Sequence, residues 1–311
     1  MSALAPLIVI LGPTASGKSS LAIWLAERLN GEVLVCDSTQ VYKYFDIGTA
    51  KVALSEQHGI AHHLVDLCEP GQIFTAGEYR RRALQVLEAV TQRKKLPILT
   101  AGTGLYLRGL LEGLSDAPER SEELRARLRE KAERRGPERL HRILMRLDPA
   151  SASRIAPRDT QKVIRAIEMR ILAEKPVGKI HGEGRRGLEG YAVRKIGLTP
   201  SREALYARIE ERTESMIRDG WLDEVSRLMS EGISSDAKPF QFIGYSELRS
   251  HMNGQLTMES AVQKIQQATR QFAKRQLTWF RKEPAVHWLA GFGDDPKIAA
   301  DALEFVKGSH S

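Results

Sequence analysis

The stretch Gly12-Pro13-Thr14-Ala15-Ser16-Gly17-Lys18-Ser19 fits G-x-x-x-x-G-K-[ST], the pattern of a phosphate-binding P-loop. The apolar run at 7–11 is typical of a buried parallel strand, and residues 20–29 have the apolar periodicity of a helix. The loop is therefore predicted between a strand and a helix, where backbone N–H groups can face an anion. Lys18 can reach a terminal phosphate, and the Ser19 hydroxyl can bind Mg²⁺. The sequence thus predicts a phosphorylated ligand.

An acid follows the second predicted strand. Residues 33–36 are apolar and lead directly into Asp37, whereas the later strand at 96–100 runs into Gly102 and Thr103 without an acid. In a motor ATPase the acid would follow a later strand, but in small-molecule kinases of this fold an acid in the early position faces the acceptor. We therefore interpret Asp37 as a group that contacts the second substrate. The alternative is a helix or turn cap.

Composition bounds the class of protein. The 311 residues suffice for one large domain or two smaller ones, and the net charge of +8 favours an acidic partner. No apolar run reaches the roughly 18 residues of a membrane span, and the first residues do not resemble a secretory signal. Cys36 and Cys68 form no metal-binding pattern, and we interpret His62 and His63 as ordinary polar residues. We expect a cytoplasmic protein without structural zinc.

Strands and helices alternate along the first third of the chain, with another helix predicted at 76–93. This order predicts an α/β fold, in which a parallel sheet carries helices on both faces. Helix formers rich in Arg and Glu then dominate from 121 to 173, and 178–187 is interpreted as a flexible basic loop. Strand character returns at 191–198.

The change of character predicts an insertion into the sheet domain. We assign 1–115 plus 190–311 to a P-loop core domain and 116–189 to an inserted all-helical domain. The segment 116–190 holds 19 Lys and Arg against 13 Asp and Glu. A basic excess of this kind suits a nucleic-acid backbone.

A long helix is predicted after Pro200, followed by a closing strand at 286–289. Leu205, Ile209 and Met216 form one apolar stripe of the helix, and Arg212 lies inside that stripe. An inward-facing arginine is costly unless it meets an anion, so we interpret Arg212 as a second cation for the P-loop ligand. The alternatives are a snorkelling side chain and a structural ion pair.

The final predicted helix, at about 257–282, is strongly basic. Residues 264–282 hold six basic residues and no acidic one, with Phe272, Trp279 and Phe280 interleaved. Such a stripe suits a nucleic-acid backbone with exposed bases. A solvated amphipathic helix packed through its aromatic residues explains the pattern equally well.

Several further blocks accompany the P-loop. They are Asp37-Ser-Thr-Gln40-Val-Tyr42, Asp46-Ile-Gly-Thr-Ala-Lys51, Gly102-Thr-Gly-Leu-Tyr106, the segment 157–168, Gln241-Phe-Ile-Gly244-Tyr-Ser-Glu247, and the segment 269–281 with its run Lys274-Arg275-Gln276-Leu-Thr-Trp-Phe-Arg. Over about residues 6–284 the chain resembles the tRNA dimethylallyltransferases, also called tRNA isopentenyltransferases, of the bacterial type. It departs mildly from that pattern, with Cys36 where Ala is usual and Ser246 where Lys is frequent.

The resemblance implies a reaction. A dimethylallyl group passes from dimethylallyl diphosphate to the exocyclic amine of the adenosine just 3′ of the anticodon in tRNA. It implies that residues 12–19 and Arg212 bind the diphosphate, with Mg²⁺ as cofactor on Ser19. Asp37 would act as the general base, and Thr103 would contact the same adenosine.

The resemblance also implies contacts to the anticodon stem-loop, and we expect a monomer that does not bind membranes. The residues implied to bind tRNA are Asp37, Ser38, Thr39, Gln40, Thr103, Arg125, Gln161, Lys162, Val163, Ile164, Arg165, Gln241, Phe242, Ile243, Gly244, Tyr245, Ser246, Glu247, Lys274 and Arg275.

Other functions share parts of this pattern. A small-molecule or nucleotide kinase would use the P-loop, Mg²⁺ and an early acid, and the arginines of the insertion could serve as its lid. A non-catalytic RNA-binding protein and a prenyltransferase acting on free adenine nucleotides are further alternatives. The basic insertion and the block at 269–281 favour an RNA substrate over a kinase acceptor or a free nucleotide, whereas a non-catalytic RNA-binding protein would bind tRNA without turnover.

Overall fold

The computed structural model describes residues 4–115, 117–182 and 185–308. The chain folds into two compact units. One is formed by the residues up to Leu110 and from Glu189 onward, and the other by Leu111–Leu188. The sequence placed the limits of the insertion at 116 and 189.

The first unit, here called the core unit, is built on a parallel sheet. Its six strands stand in the order β3-β2-β4-β1-β5-β6, and all neighbours pair in parallel. The strands are β1 (Ala5–Leu11), β2 (Gly31–Cys36), β3 (His62–His63), β4 (Leu96–Ala101), β5 (Tyr191–Leu198) and β6 (Val286–Leu289). All of β2 and most of β1 are buried, which fits a sheet covered on both faces. The predicted α/β fold class is confirmed.

Two of the first three helices were predicted, α1 (Lys18–Leu29) and α2 (Ala76–Gln92). The third, α3 (Gly104–Glu112), follows the Gly-Thr-Gly segment and was not predicted from the sequence. The hydroxyl of Thr75 accepts from the N–H of Glu78 and so caps α2. Leu21 and Leu25 of α1 pack on Ile8 and Ile10 of the sheet. A short 3₁₀ helix lies at Leu54–Glu56.

The second unit, here called the helical unit, contains only helices among its described residues. They are α4 (Glu122–Arg135), α5 (Pro137–Leu147), α6 (Pro149–Ala152), α7 (Thr160–Leu172) and α8 (Val177–Gly182). Its core is apolar and includes Leu140, Leu144 and Ile167. The expected flexible loop at 178–187 is wrong in its first part, because Val177 and Ile180 anchor α8 in this core; residues 183 and 184 of that prediction lie outside the described residues.

The rest of the core unit adds helices after β5. They are α9 (Arg202–Arg218), α10 (Trp221–Ser230), α11 (Tyr245–Met252), α12 (Met258–Phe280) and α13 (Pro296–Lys307), with a 3₁₀ helix at Lys238–Gln241. The expectation that the basic helix is the final one is wrong, because α13 follows it and packs with α1 through Ile298 and Ala302. Among the helices in the described ranges, none has both the length and the hydropathy of a membrane span.

Candidate active site

The P-loop joins β1 to α1 in the conformation that its glycines require. Gly17 has φ of 82°, and α1 begins at the next residue without a side-chain cap. A Cβ at Gly17 would also lie 2.8 Å from the backbone nitrogen of Gly293. The first N–H groups of α1 therefore keep no side-chain partner and can bind an anion.

A cavity of about 1410 Å³ in the core unit lies against this loop. Strand order explains what else borders it: β2, β4 and β1 are neighbours, so the loops at their carboxyl ends meet at one edge of the sheet. The P-loop follows β1, Asp37 follows β2 and Gly102 follows β4. The predicted site residues that line the cavity are Thr14, Ala15, Ser16, Gly17, Lys18, Ser19, Asp37, Ser38, Thr39, Gln40, Arg212, Gln241, Phe242 and Ile243.

One carboxylate oxygen of Asp37 is held and the other is not. Oδ1 accepts from the backbone N–H of Thr39 at 2.8 Å and from its hydroxyl at 2.6 Å. Oδ2 lies against the Cα of Gly102, where no Cβ would fit, and accepts no hydrogen bond from the described residues. The carboxylate is therefore oriented by Thr39 and closely approached by Gly102, and it keeps an oxygen that can accept a proton.

Thr103 is placed beside this site and does not line the cavity. Its Oγ1 accepts from the N–H of Ser38 at 2.9 Å and lies 3.1 Å from the Ser38 hydroxyl. These bonds fix the segment directly after Asp37. Contact between Thr103 and the adenosine stays a prediction.

Lys18 and Arg212 bring positive charge to the cavity, and both are partly buried. Lys18 Nζ donates to the carbonyl of Pro13 at 2.7 Å, and Arg212 Nη1 donates to Thr14 Oγ1 at 3.4 Å. Within the described ranges neither side chain forms an ion pair. Burial lowers the pKa of Lys18 to about 8, while Asp37 acts in the opposite direction. Burial, with help from Arg208, also lowers the pKa of Arg212. Both cations are thus poorly solvated, which favours an incoming anion.

The loop 46–51 forms another part of the cavity wall, and it is held in part by Glu224, which the sequence did not single out. Glu224 of α10 accepts from the N–H groups of Asp46 at 2.9 Å and Ile47 at 2.8 Å. Its other oxygen accepts from the hydroxyl of Tyr245 at 2.6 Å. In addition, Gln40 Nε2 donates to the carbonyl of Thr49 at 3.0 Å.

The block 241–247 divides between the cavity and the core. Tyr245 is fully buried, and Gly244, with φ of 93°, is packed against Trp221 so closely that no side chain would fit. The carboxylate of Glu247 accepts from the Gly244 N–H at 2.7 Å and from the Ser246 hydroxyl at 2.8 Å. Gly244, Tyr245, Ser246 and Glu247 therefore shape the segment that presents 241–243 to the cavity.

In the helical unit, the predicted arginines have an internal partner. The buried carboxylate of Glu168 accepts from Arg125 at 2.8 and 2.7 Å and from Arg165 at 2.5 Å. Burial alone would raise the pKa of Glu168, but these hydrogen bonds outweigh it and lower the pKa to about 2.

The other predicted residues of α7 differ in exposure. Val163 and Ile164 are buried in the helical core, whereas Gln161 and Lys162 are exposed, with Lys162 Nζ donating to Asp159 at 2.5 Å. A side-chain contact from this segment to RNA can therefore come from Gln161 or Lys162 but not from the two buried residues in this conformation.

Helix α12 presents different residues on different faces. Lys274 and Arg275 are exposed, and the adjacent Gln276 is 6% exposed and lines the cavity. Of the interleaved aromatics, Phe280 is fully buried and Trp279 is partly exposed. Lys274 and Arg275 are therefore solvated, while one polar residue of the same block points inward.

The donor set fits a hydrated magnesium ion held jointly with a phosphate ligand. Ser19 offers a hydroxyl on the cavity wall, and the described residues contain no cluster of three or more His, Cys, Asp or Glu that could hold a metal. Mg²⁺ commonly keeps several waters and uses few protein ligands beside substrate phosphates. A single hydroxyl next to the P-loop is compatible with that mode.

A profile of the family described as IPP transferase matches residues 40–283. The chain belongs to the IPP transferase family. A protein from Koribacter versatilis named tRNA dimethylallyltransferase is 48% identical over 97% of this chain and 98% of its own length. A protein of the same name from Solibacter usitatus is 46% identical over 97% and 98%. The resemblance drawn from the motifs is confirmed.

Solved structures of the IPP transferase family agree with the fold. The tRNA isopentenylpyrophosphate transferase of Bacillus halodurans has a TM-score of 0.71 and 36% identity, covering 97% of this chain and 96% of that chain. A eukaryotic dimethylallyltransferase described as acting on tRNA has a TM-score of 0.81 and 25% identity, covering 98% and 80%.

Proposed function

We propose that this protein transfers the dimethylallyl group of dimethylallyl diphosphate to the exocyclic amine of the adenosine 3′-adjacent to the anticodon of a tRNA. One observation carries the proposal: an anion cradle and a partly free carboxylate, Asp37, line the same cavity of the core unit. The family relatives bear the name of this activity.

The leaving diphosphate is stabilised by the cradle. As the allylic C–O bond breaks, negative charge grows on the diphosphate and positive charge on the carbon. The free N–H groups at the start of α1, with Lys18 and Arg212, meet that negative charge in a partly desolvated site, where such groups act most strongly. Among the described residues, neither cation has a carboxylate partner that it must leave before it can bind the diphosphate.

The acceptor is activated by Asp37. The adenine amine is a weak nucleophile because its lone pair is delocalised into the ring, and it loses a proton as the N–C bond forms. The oxygen Oδ2 of Asp37 can accept that proton, while the bonds from Thr39 to Oδ1 hold the carboxylate in place. The base must leave the anticodon-loop stack to reach the carboxylate, as in other enzymes that modify bases.

The proposed cradle would be completed by a magnesium ion. Ser19 would hold the ion together with oxygens of the diphosphate, and the ion would supply additional positive charge to the leaving group. Lys18, Arg212 and the amides of the P-loop orient the diphosphate from the protein side.

The proposed RNA contacts come from each unit separately. In the core unit, Lys274 and Arg275 present exposed charge on α12, and Gln241 lies on the cavity wall. In the helical unit, Gln161 and Lys162 are exposed at the start of α7. The positive groups among them, Lys162, Lys274 and Arg275, can bind phosphates and position an RNA without reading its sequence.

The experiment that tests the function follows two labels. The protein is incubated with Mg²⁺ and unmodified tRNA, with either prenyl-labelled dimethylallyl diphosphate or γ-labelled ATP. We expect the prenyl label alone to enter tRNA, and nuclease digestion to place it on the adenosine 3′ of the anticodon. Transfer of the γ-phosphoryl group to an acceptor, with no prenyl transfer, would establish a kinase instead. Equal transfer to free AMP would remove tRNA as the preferred acceptor.

A further inference from the structure

Gln276 is a buried polar residue in the middle of the basic block of α12. Its side-chain carboxamide makes two hydrogen bonds across the core unit. Oε1 accepts from the backbone N–H of Thr14 at 2.7 Å, and Nε2 donates to the carbonyl of Gly102 at 2.8 Å. The residues at the two ends are separated from Gln276 by 262 and 174 positions. One side chain thus joins the P-loop to the loop after β4.

The chemistry of the partners determines the orientation of the carboxamide. The Thr14 nitrogen can only donate, and the Gly102 oxygen can only accept, so the amide oxygen must face the P-loop and the amide nitrogen must face Gly102. A flipped amide would place a donor against the Thr14 N–H and an acceptor against the Gly102 carbonyl. The side chain therefore has one satisfied arrangement, and burial makes any loss of these bonds costly.

Each residue hydrogen-bonded to Gln276 also contacts a side chain with a proposed role in the reaction. The hydroxyl of Thr14 accepts from Arg212. Gly102 lies against Oδ2 of Asp37 so closely that it has no room for a side chain. The carboxamide of Gln276 therefore spans from the diphosphate cradle to the backbone that limits the position of the carboxylate.

We propose that Gln276 is a positioning residue that sets the spacing between the diphosphate cradle and Asp37. The proposal rests on the proposed function above. Displacement of about 1 Å between reacting groups can cost roughly 10²-fold in rate. Loss of the bridge should therefore lower the rate of transfer far more than it lowers the affinity for tRNA, because the exposed Lys274 and Arg275 are unchanged.

The test compares two substitutions of similar volume. Gln276→Met removes both hydrogen bonds. Gln276→Glu keeps an acceptor for Thr14, but its ionised form cannot donate to Gly102, whereas its protonated form can do both. We expect single-turnover transfer with both substrates saturating to fall about 10–100-fold in each variant at pH 8. As the pH is lowered to 5.5, the transfer rate of the Glu variant divided by that of the wild type should rise. The same ratio for the Met variant should not change with pH.

A matched control separates positioning from stability. Glu32 is also buried in the core unit, at the amino end of β2, and pairs there with Arg93. Glu32→Gln should lower the melting temperature but leave the single-turnover rate within about twofold of the wild type. The positioning role is contradicted if Gln276→Met transfers at the wild-type rate, if its loss of rate equals that of Glu32→Gln at the same loss of melting temperature, or if the Glu and Met variants share one flat pH ratio.

A second measurement does not depend on prenyl transfer. Hydrogen–deuterium exchange at the amide of Thr14 should be slow in the wild type and accelerate at least about tenfold in Gln276→Met, because the acceptor of that N–H is removed. Unchanged exchange would contradict the bridge. If the wild type transfers no prenyl group, the proposed function fails, and the exchange of Thr14 still decides whether Gln276 holds the P-loop.

Discussion

The core unit and the helical unit differ in how they place arginine and carboxylate side chains. The helical unit pairs them with each other, whereas Arg212 and Asp37 in the cavity of the core unit form no ion pair with the described residues. In the helical unit, Glu168 is buried and saturated by Arg125, Arg165 and the N–H of Ser121. In the core unit, considering the described residues alone, the guanidinium of Arg212 donates only to a hydroxyl at 3.4 Å, and Oδ2 of Asp37 accepts no hydrogen bond. Buried charges that satisfy each other hold a fold, whereas charges that a fold keeps apart remain available to a ligand.

The difference has an energetic meaning. Removing a charge from water is costly, and a counter-charge with several hydrogen bonds offsets that cost in the helical unit. In the core unit the cost is only partly compensated in the free protein, by the Pro13 carbonyl and by Asp37, and it appears as the lowered pKa of Lys18 and Arg212. Binding an anion would offset this desolvation cost, so the free energy of these two charges favours ligand binding.

Substitution of Asp37 should produce the largest effect. Asp37→Ala removes the proposed base and should lower the rate of transfer by about 10²–10⁴-fold, with the affinity for tRNA largely kept. Single-turnover kinetics and filter binding of tRNA measure the two quantities. Asp223→Asn, an exposed acid of α10, serves as the control and should leave both unchanged. Near-normal turnover in Asp37→Ala would exclude it as the base.

Substitution of Arg212 comes next. Arg212→Ala should lower kcat/KM for dimethylallyl diphosphate by about 10²–10³-fold, roughly 2.7–4 kcal/mol, because a preorganised charge on the leaving group is lost. The dissociation constant for tRNA should stay within about twofold. Arg218→Ala, an exposed arginine at the end of the same helix, is the matched control. Equal losses for both substrates would show that Arg212 does not act on the diphosphate.

Substitution within the buried cluster of Glu168, Arg125 and Arg165 should lower the free energy of unfolding. Glu168→Gln leaves two arginines without a counter-charge and should cost about 3 kcal/mol in the free energy of unfolding, measured by urea titration with circular dichroism. The exposed pair of Glu130 and Arg134 is the control, and Glu130→Gln should cost under about 0.5 kcal/mol. A cost for Glu168→Gln no larger than that of the control would break the contrast between the units.

The pH dependence of the same cluster follows from its lowered pKa. Because the pKa of Glu168 falls from 4.5 to about 2 on folding, its stabilisation is complete above about pH 4.5 and is lost as the pH falls toward 2. Between pH 4.5 and 2, the free energy of unfolding should therefore fall less steeply with decreasing pH in Glu168→Gln than in the wild type, as measured by urea titration at each pH.

The smallest expected effect concerns Lys18. Its pKa of about 8 in the free protein means that its charge is lost as the pH rises through 8. Affinity for inorganic diphosphate, measured by calorimetry, should then weaken by up to about tenfold per pH unit above that value. Lys18→Arg keeps its charge and should show a flatter profile. A flat profile in the wild type would show that Lys18 does not bind the ligand through its charge.

Much of the fold could be read from local patterns. The strand, loop and helix around Lys18 and the strand before Asp37 were predicted correctly, because their signals lie within a few neighbouring residues. The helices α8 and α13 were missed, and so was α3. The segment 178–187 is basic and glycine-rich, so its composition gives no sign that Val177 and Ile180 pack in the helical core. The helix after β6 was not predicted.

The candidate site was recovered less evenly. Arg212 could be found because a charge inside an apolar stripe is a visible exception. Glu224 and Gln276 could not, since a polar residue in a helix gives the same local pattern whether it faces water or a distant backbone. Likewise, the sequence could not distinguish Arg125, which is paired with Glu168, from an arginine left free for RNA.

The sequence by itself determined the α/β class, the anion cradle and the acid after the second strand, because each depends on spacing within a short segment. The tertiary structure alone decided which charges neutralise one another and which residue of the run Lys274, Arg275 and Gln276 turns inward. Those outcomes depend on hydrogen bonds between residues as far as 262 positions apart, and such partners meet only when the sheet and its helices are packed.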